Sequence, residues 1–397
     1  MAVLALALLL GLQPVTTDLY LPALPGLRAD LGASMAGVQL TLSALMIAFG
    51  FGQMLLGPVA DRFGRRPVLL GGLSLYLAAA IAAVLSHGIE QLIACRALQG
   101  LGLAASVVCG RAMLRDWFEP QQGAQVMARA LTGLGLIATL SPSLGGLISA
   151  HWGWRGAVGA NGVFAACALL YVLLRVPESL ARPNPRALQP AQLVESWAIV
   201  LRHPIFRAYG LMTALAYATL YSFLAGSSFV FVDLLEVSRQ AYGLMLGSCA
   251  AVYVLGTLWC RRLLRRHGLA ATAKRGAVFT LAGGLLVAAL ALAGYSSVAT
   301  LLLPQWIMIF GHGVLQPCGQ TGAVGPFPQR AGAASALSGF LIAIGAFAVG
   351  AWLSHALAAE ATARTVALTL GTLAACTATV TWTLVQRAAP RALAQAV

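Results

Sequence analysis

Long apolar stretches, separated by short polar or Gly- and Pro-containing breaks, run through the whole of this sequence. A helix needs about 20 mostly apolar residues to cross a membrane. Cutting the sequence at its charge clusters and breaks gives twelve segments of that kind, at residues 2–22, 37–57, 68–87, 90–110, 127–149, 155–175, 205–232, 240–260, 275–294, 298–320, 332–356 and 364–386. The pattern therefore predicts an all-α membrane protein with twelve transmembrane helices.

Two details of this assignment of spans depend on further features of the sequence. Residues 276–329 contain no Asp, Glu, Lys or Arg and are long enough for two spans, so we expect a hairpin at residues 294–297. Segment 2–22 lacks a basic n-region and runs into Asp18 and two prolines, which is not the pattern of a cleaved signal peptide. We interpret it as the first span and expect a short cytoplasmic tail to be missing in front of it.

Positive charges are concentrated in alternate connections between the segments. If the N-terminus is cytoplasmic, the inner loops and tails hold 20 of the 25 Lys and Arg residues, and the outer loops hold four. Lys and Arg accumulate on the cytoplasmic side of membrane proteins. We therefore expect both termini to be cytoplasmic.

The polar, Pro-rich segment 177–204 lies at the midpoint of the twelve spans. We interpret it as a cytoplasmic linker between two six-helix bundles, residues 1–176 and 205–397. The basic pair Arg65-Arg66 after span two is echoed by Arg261-Arg262 after span eight, at an offset of about half the chain. Duplicated halves of this kind place a substrate site near the membrane midplane.

Composition excludes several classes of protein. With 59% hydrophobic and 9% charged residues and a mean hydropathy of +0.84, the chain has no polar stretch long enough for a soluble domain. The distribution of its +14 net charge argues against a nucleic-acid partner. Seven cysteines in apolar segments have neither metal-ligand nor disulfide-framework spacing. The sequence G-x-x-x-x-G-K-[ST] is absent, so we expect an ion gradient as the energy source and no cofactor or metal.

The connection between spans two and three carries a specific motif. Two glycines, two prolines and four charges lie in residues 57–68, so we expect a sharp turn at the membrane surface. The pattern G-x-x-x-D-R-x-G-R-R resembles the signature of the major facilitator superfamily of transporters at the same place. Its fixed positions are Gly57, Asp61, Arg62, Gly64, Arg65 and Arg66. The alternative is a basic loop that only sets topology.

Further stretches resemble the Bcr/CflA family of bacterial drug-resistance exporters within that superfamily. They are Asp18–Pro25 (DLYLPALP), Gln39–Ser43 with Gly50–Gln53, Cys95–Gly102 (CRALQGLG), Arg111–Asp116, Ser141–Gly146 (SPSLGG) and Arg330–Gly339. The resemblance implies an inner-membrane exporter of amphipathic drugs, such as amphenicols or bicyclomycin. It also implies alternating access driven by proton entry, with drug, protons and lipids as the partners of a monomer.

The resemblance also implies roles for individual residues. Asp61 would latch the inner side closed against the start of span eleven and neighbouring arginines. Pro142, Gly145 and Gly146 would form a bend that restricts leak, and a packing notch between helices is the alternative for the same residues. A faint likeness of residues 176–180 (VPESL) to a sugar-transporter motif lacks the rest of that pattern, so we discount it.

Two ionisable residues inside the spans are candidates for proton coupling, because an intramembrane charge is costly. Asp18 lies about 6 Å and Arg96 about 9 Å below the outer ends of their predicted spans, so a pairing or a shared cavity is geometrically allowed. A buried carboxylate favours its neutral form and a nearby arginine favours the charged form. We expect this balance to let Asp18 carry the proton under the control of Arg96. The alternatives are an Asp near the headgroups and an Arg bonded to backbone carbonyls.

A substrate cavity is predicted from polar and aromatic residues within the spans. The candidates are Tyr20, Gln99, Tyr217, Tyr221 and Trp306. Two other functions remain as alternatives to drug export. A proton-coupled transporter of an amino acid or sugar would be expected to carry more intramembrane charges. A membrane-embedded enzyme would need clustered acids or a His–Asp pair, and the histidines at 203, 267 and 312 have no carboxylate within several residues.

Overall fold

The computed structural model describes residues 2–359 and 362–388, and its regular elements are all helical. The α-helices are α1 Ala2–Asp18, α2 Leu24–Asp30, α3 Met35–Phe63, α4 Arg65–Val84, α5 Ile89–Trp117, α6 Pro120–Arg175, α7 Pro190–Arg202, α8 Pro204–Ser228, α9 Arg239–Leu292, α10 Val298–Val324, α11 Ala331–Ala359 and α12 Ala363–Val380. Short 3₁₀ or π turns at Leu21–Ala23, Phe229–Leu234, Pro328–Arg330 and Thr381–Val385 extend them. The all-α prediction is confirmed.

Ten helical runs among the described residues are long and apolar enough to cross a membrane. Two of them, α6 and α9, are 56 and 54 residues long and break at Gly153 (φ 64°, ψ −167°) and Gly268 (φ 72°, ψ 179°). Only glycine adopts this region of φ/ψ space readily, so each break separates two spans. The count becomes twelve, as the apolar segments predict. The predicted hairpin at residues 294–297 is also present, between α9 and α10.

The first span ends later than the sequence suggested. After α1, the 3₁₀ turn Leu21–Ala23 and α2 continue the helical run to Asp30, giving a span of 29 residues. Pro22 and Pro25 lie in the first turns of these two elements, where a missing N–H group costs nothing. Asp18 therefore lies twelve residues from the end of the run, about 18 Å along a helix, and the depth of about 6 Å below the membrane surface stays a prediction.

The described residues form two compact units. Unit 1 comprises the residues up to Val194 together with Ser238–Gly247, and unit 2 comprises Glu195–Val237 and the residues from Ser248 onwards. The predicted linker, 177–204, contains the 13-residue helix α7. Within each unit small residues bring helix backbones together, because glycine leaves no side chain between them. A Cβ on Gly102 would lie 2.5 Å from the Gly72 carbonyl oxygen, and one on Gly313 would lie 2.5 Å from that of Tyr253.

Candidate functional site

Arg96 lies inside unit 1, seven residues after the start of α5, or about 10 Å along the helix. None of its surface is accessible to solvent. A charge in such a place is retained only if protein groups replace its hydration. The groups around this guanidinium therefore define the first candidate site.

The contacts of the Arg96 guanidinium include two hydrogen bonds and an aromatic ring. One terminal nitrogen donates to Gln99 Oε1 at 2.8 Å, and the other donates to the backbone carbonyl of Thr16 at 3.0 Å. The Tyr20 ring lies over the cation, with its centroid 4.3 Å from Cζ. Thr16 belongs to the last turn of α1, where carbonyl groups have no intrahelical partners and the helix dipole is negative. The cation therefore caps α1.

Hydroxyl groups extend this arrangement across four helical elements. Tyr20 donates from its hydroxyl to Thr41 Oγ1 of α3 at 3.1 Å. Thr16 Oγ1 and the Tyr76 hydroxyl of α4 lie 2.7 Å apart and share a hydrogen bond. Arg96, Gln99 and Tyr20, which the sequence proposed for separate roles, thus belong to one buried polar cluster. A network of this kind orients the cation rigidly.

Asp18 is half-buried at the end of α1, two residues beyond Thr16. Its Oδ1 accepts a hydrogen bond from the Thr17 hydroxyl at 2.7 Å. Among the described residues, its carboxylate forms no ion pair with Arg96. The cation meets the backbone carbonyl near Asp18 instead, which was the alternative noted for Arg96 from the sequence.

The second candidate site lies at the turn between α3 and α4. Gly57 and Pro58 were expected to end the helix, but α3 continues to Phe63 and the chain turns at Gly64 alone, with φ 104° and ψ 151°. A proline within a membrane helix is tolerated because neighbouring groups satisfy the freed carbonyl. The turn therefore occupies one residue, and the charged positions of the motif flank it.

The Arg65 guanidinium holds two carboxylates at this turn. It forms an ion pair with Asp61, four residues earlier on the other side of the Gly64 turn, and its Nε donates to Asp116 Oδ2 of α5 at 3.2 Å. Arg66 instead donates to the carbonyls of Val176 and Leu173, at 2.8 and 3.0 Å. The motif thus ties the turn to α5 and to the end of α6.

Two further residues of the motif, Arg62 and Gly57, make fewer contacts. Arg62 is exposed, and its Cζ lies 5.4 Å from the Phe63 ring centroid. Gly57 lies within α3, where an added Cβ would meet only Val108 at 3.8 Å. The fixed positions of the motif are therefore not equivalent in this structure.

Glu178 caps the N-terminus of α4, a contact that the sequence interpretation missed. Its carboxylate accepts from the backbone N–H groups of Arg65 and Arg66, both at 3.0 Å, and from those of Ser179 and Leu180 at 2.8 and 2.9 Å. Partial burial disfavours the charge, but these four donors outweigh it and lower the pKa of Glu178. The signal was the VPESL stretch, which we discounted because the rest of the sugar-transporter pattern is missing. The N–H groups that Glu178 binds lie 112 and 113 positions away along the chain.

Pro142, Gly145 and Gly146 lie in α6 and pack closely within unit 1. A Cβ on Gly145 would come within 2.8 Å of the Leu19 backbone, and one on Gly146 would lie 2.6 Å from the Arg239 carbonyl oxygen. Ser143 Oγ donates to the Gly243 carbonyl at 3.4 Å. These contacts fit a packing notch, and the predicted role in restricting leak stays a prediction.

The remaining cavity candidates belong to unit 2. The rings of Tyr217 and Tyr221 stack with centroids 6.5 Å apart, and Trp306 Nε1 donates to Ser248 Oγ at 3.0 Å. His312, which the sequence analysis considered only as a catalytic residue, has its ring 6.3 Å from Tyr217 and 5.8 Å from Tyr253. The rings of Tyr217 and Tyr253 thus flank the buried His312 side chain in this unit.

Comparisons with known proteins agree on the kind of molecule. The family model of the Major Facilitator Superfamily matches residues 6–348. Multidrug resistance protein D of Escherichia coli K12 is 30% identical over 344 residues, covering 86% of this chain and 85% of that protein. A chloramphenicol resistance protein of Pseudomonas aeruginosa is 28% identical over 325 residues, covering 81% of this chain and 75% of that protein. The alignment with the crystal structure of the human organic anion transporter MFSD10 covers 96% of this chain and 98% of the transporter chain, with a TM-score of 0.73 and 21% sequence identity. At this level of identity the likeness shows the fold alone.

Proposed function

This chain belongs to the Major Facilitator Superfamily, and we propose that it exports amphipathic, uncharged or weakly charged drugs in exchange for protons. The names of its relatives support a drug as the substrate, since one is a multidrug resistance protein and another a chloramphenicol resistance protein. Both alignments extend over most of each chain. Amphenicols are the substrate class that we propose first.

The observation that carries the proposal is the fully buried Arg96 with its cluster of polar partners. A membrane protein without a transport pathway gains little from an arginine at this depth, because burial of the charge is costly. Arginine stays charged at all physiological pH values. It can therefore set the charge balance of a proton site without carrying the proton itself.

Asp18 is the proton carrier in this proposal. It follows Thr16, whose carbonyl binds Arg96, by two residues, so the carboxyl group and the cation are connected through one turn of α1. A proton entering from outside neutralises Asp18 and weakens its attraction for Arg96. A drug that interacts with the Arg96 cluster then favours the state that releases the proton inside.

The contacts around the α3–α4 turn support a role for Asp61 and Arg65 in holding the cytoplasmic side closed. These contacts join α3, α4, α5 and the end of α6 in unit 1. Alternating access would break and re-form the pairing of Asp61, as the resemblance to the superfamily implies. We propose that both termini lie in the cytoplasm of a bacterial cell and that the transporter acts as a monomer in the inner membrane. The C-terminal end, 389–397, lies outside the described residues.

Drug accumulation in an efflux-deficient bacterial host tests the proposal. Cells that express this chain should accumulate less chloramphenicol than cells with an empty vector, and a protonophore should abolish the difference because it removes the proton gradient. Equal accumulation with and without expression would contradict drug export. Reduced accumulation that survives the protonophore would contradict proton coupling.

A further inference from the structure

A small cavity inside unit 2 lies between α8, α9 and α10. Its volume is about 10 Å³, room for roughly one water molecule. The residues that line it are Ala216, Thr219, Leu220, Thr280, Gln305, Met308, Ile309 and His312. None of these carries an Asp, Glu, Lys or Arg charge. The cavity is therefore polar but neutral, unlike the Arg96 cluster of unit 1.

Three polar atoms in this lining have no hydrogen-bond partner in the structure. They are Nε2 and Oε1 of Gln305 and Nδ1 of His312. The two side chains are only 1% and 4% exposed. A buried polar group without a partner costs about 1–3 kcal/mol, so three of them at one cavity indicate a site whose guest is a hydrogen-bonding group.

The other polar side chains of the lining already have partners. Thr219 donates to the Leu215 carbonyl at 2.8 Å, and Thr280 donates to that of Gly276 at 3.4 Å. His312 has a hydrogen bond to the backbone of Ala216. A backbone carbonyl only accepts, so the ring nitrogen that faces it carries the proton, and Nδ1 of the neutral ring is an acceptor.

The unsatisfied atoms define the chemistry of the guest. Gln305 offers two N–H donors and a carbonyl acceptor, and His312 offers an acceptor. A metal cation would face the amide N–H groups without any anionic ligand, and an anion would find no positive charge. A hydroxyl group donates one hydrogen bond and accepts two. It is therefore the small uncharged group that matches the site.

The surroundings of His312 indicate where the rest of a ligand would lie. The rings of Tyr217 and Tyr253 flank it, with centroids 6.3 and 5.8 Å away. Aromatic side chains present a large apolar surface to a ligand and favour stacked or tilted ring contacts. A hydroxyl in the cavity and an aromatic body against these tyrosines together describe an amphipathic compound.

We propose that Gln305 and His312 form a subsite for a terminal, primary alcohol hydroxyl of the exported compound. This inference rests on the proposed drug export and names a chemical feature of the substrate. A resident water molecule has the same donor and acceptor chemistry, so the test must separate a hydroxyl of the drug from water.

Thiamphenicol and florfenicol provide a matched pair, because they differ only in a terminal hydroxyl that florfenicol replaces with fluorine. The variants are Gln305→Leu, which keeps the size of the side chain but removes its hydrogen bonds, and His312→Leu. Gln316→Leu makes the same chemical change on α10 outside the lining and serves as the control. The measurement is resistance to each drug in the efflux-deficient host.

Gln305→Leu should weaken export of thiamphenicol about tenfold, as for the loss of a buried hydrogen-bonded group, and leave florfenicol export nearly unchanged. His312→Leu should likewise reduce export of thiamphenicol more than export of florfenicol. Equal losses for both drugs would mean that the cavity holds a resident water or the benzylic hydroxyl that both drugs share, and either result would overturn the proposal. Wild-type resistance to both drugs in Gln305→Leu would overturn it as well.

Thermal unfolding of the purified wild type and Gln305→Leu separates this inference from the proposed function. Leucine should not destabilise the protein, because it replaces an unsatisfied amide. If cells show no export of either drug, the proposed function fails. The subsite can then still be tested by the effect of each drug on the unfolding temperature of the purified protein. Thiamphenicol should then raise the unfolding temperature of the wild type more than florfenicol does, and the difference should vanish in Gln305→Leu. The absence of a difference in the wild type would overturn the subsite.

Discussion

At the scale of single residues, Arg96 illustrates how a charge is kept inside a membrane. Its partners are a carbonyl at the end of α1, an amide oxygen of its own helix and the face of a tyrosine ring. The helix end and the ring carry partial negative charge without a titrating group. The arginine therefore stays charged and fixed, and in our proposal Asp18, two residues beyond its carbonyl partner, exchanges the proton.

Arg96→Met separates the structural and functional roles of this cation. Methionine removes the cost of burying a charge, but it leaves Gln99 Oε1 and the Thr16 carbonyl without this donor, at about 1–3 kcal/mol for each unsatisfied group. We expect the unfolding free energy to fall by about 2–3 kcal/mol, whereas proton-driven chloramphenicol efflux by the folded protein should be lost altogether. Arg96→Lys should also lose most activity, because a point charge cannot reach Gln99 and Thr16 with a rigid fork. Efflux at the wild-type rate in Arg96→Met would leave the arginine without a role in coupling.

Asp18→Asn tests the proton carrier directly. The amide keeps the shape of the carboxyl group but cannot bind and release a proton at physiological pH. Drug binding should persist and become insensitive to pH, while uphill efflux in everted vesicles should disappear. Thr17→Val is the matched control, because it removes the hydrogen bond to Asp18 and keeps the carboxylate. Uphill, pH-dependent efflux by Asp18→Asn would move the proton site elsewhere.

At the scale of elements, the N-terminus of α4 is capped by Glu178, a residue more than 110 positions further along the chain. The Arg65 and Arg66 N–H groups would otherwise lack partners, since the first turn of a helix has none of its own. Gly64 allows the approach, because a Cβ there would lie 2.6 Å from Glu178 Oε2. The glycine of the motif therefore provides both the turn and the space for the cap.

Glu178→Gln should destabilise the protein by about 1 kcal/mol at neutral pH, the usual effect of losing a helix cap, with solvent exposure keeping it small. The pKa of Glu178 is lowered in the folded state. Its stabilisation is therefore present above the ordinary pKa of glutamate and lost as the pH falls through the lowered value. Thermal unfolding of wild type and variant should differ at neutral pH and converge in acid.

Glu195→Gln makes the same change at an exposed position of α7 and serves as the control for this cap. It should leave unfolding unchanged at every pH. A constant difference between wild type and Glu178→Gln down to acidic pH would show that the carboxylate charge does not stabilise the cap.

At the scale of the whole molecule, the twelve crossings and the distribution of basic residues together imply an orientation. Single cysteines at positions 182–190 and 268–272, on a background without the seven native cysteines, should react only with a reagent present in the cytoplasm. Ser296→Cys in the α9–α10 hairpin is the control and should react from outside. Labelling of either inner loop in intact cells by an impermeant reagent would contradict the orientation.

The sequence by itself determined the number of spans and most of their limits. Burial of a charge in hydrocarbon is costly wherever the chain folds, so charge clusters mark span ends without knowledge of tertiary contacts. Gly153 and Gly268 divide α6 and α9 inside the breaks that the apolar pattern left. The motif around Gly64 was recognised in the same way, because its glycine and charges are close along the chain.

Only the tertiary structure decided which groups meet. The carbonyl that binds Arg96 lies 80 positions away, and the N–H groups that bind Glu178 lie 112 or 113 positions away. A backbone carbonyl or N–H group has no distinctive sequence letter, so neither contact could be read from the chain. The cavity at Gln305 and His312 was missed for a related reason, since it depends on which faces of α8, α9 and α10 pack together. Membrane insertion follows from local hydropathy, whereas the chemistry of each site follows from packing between distant segments.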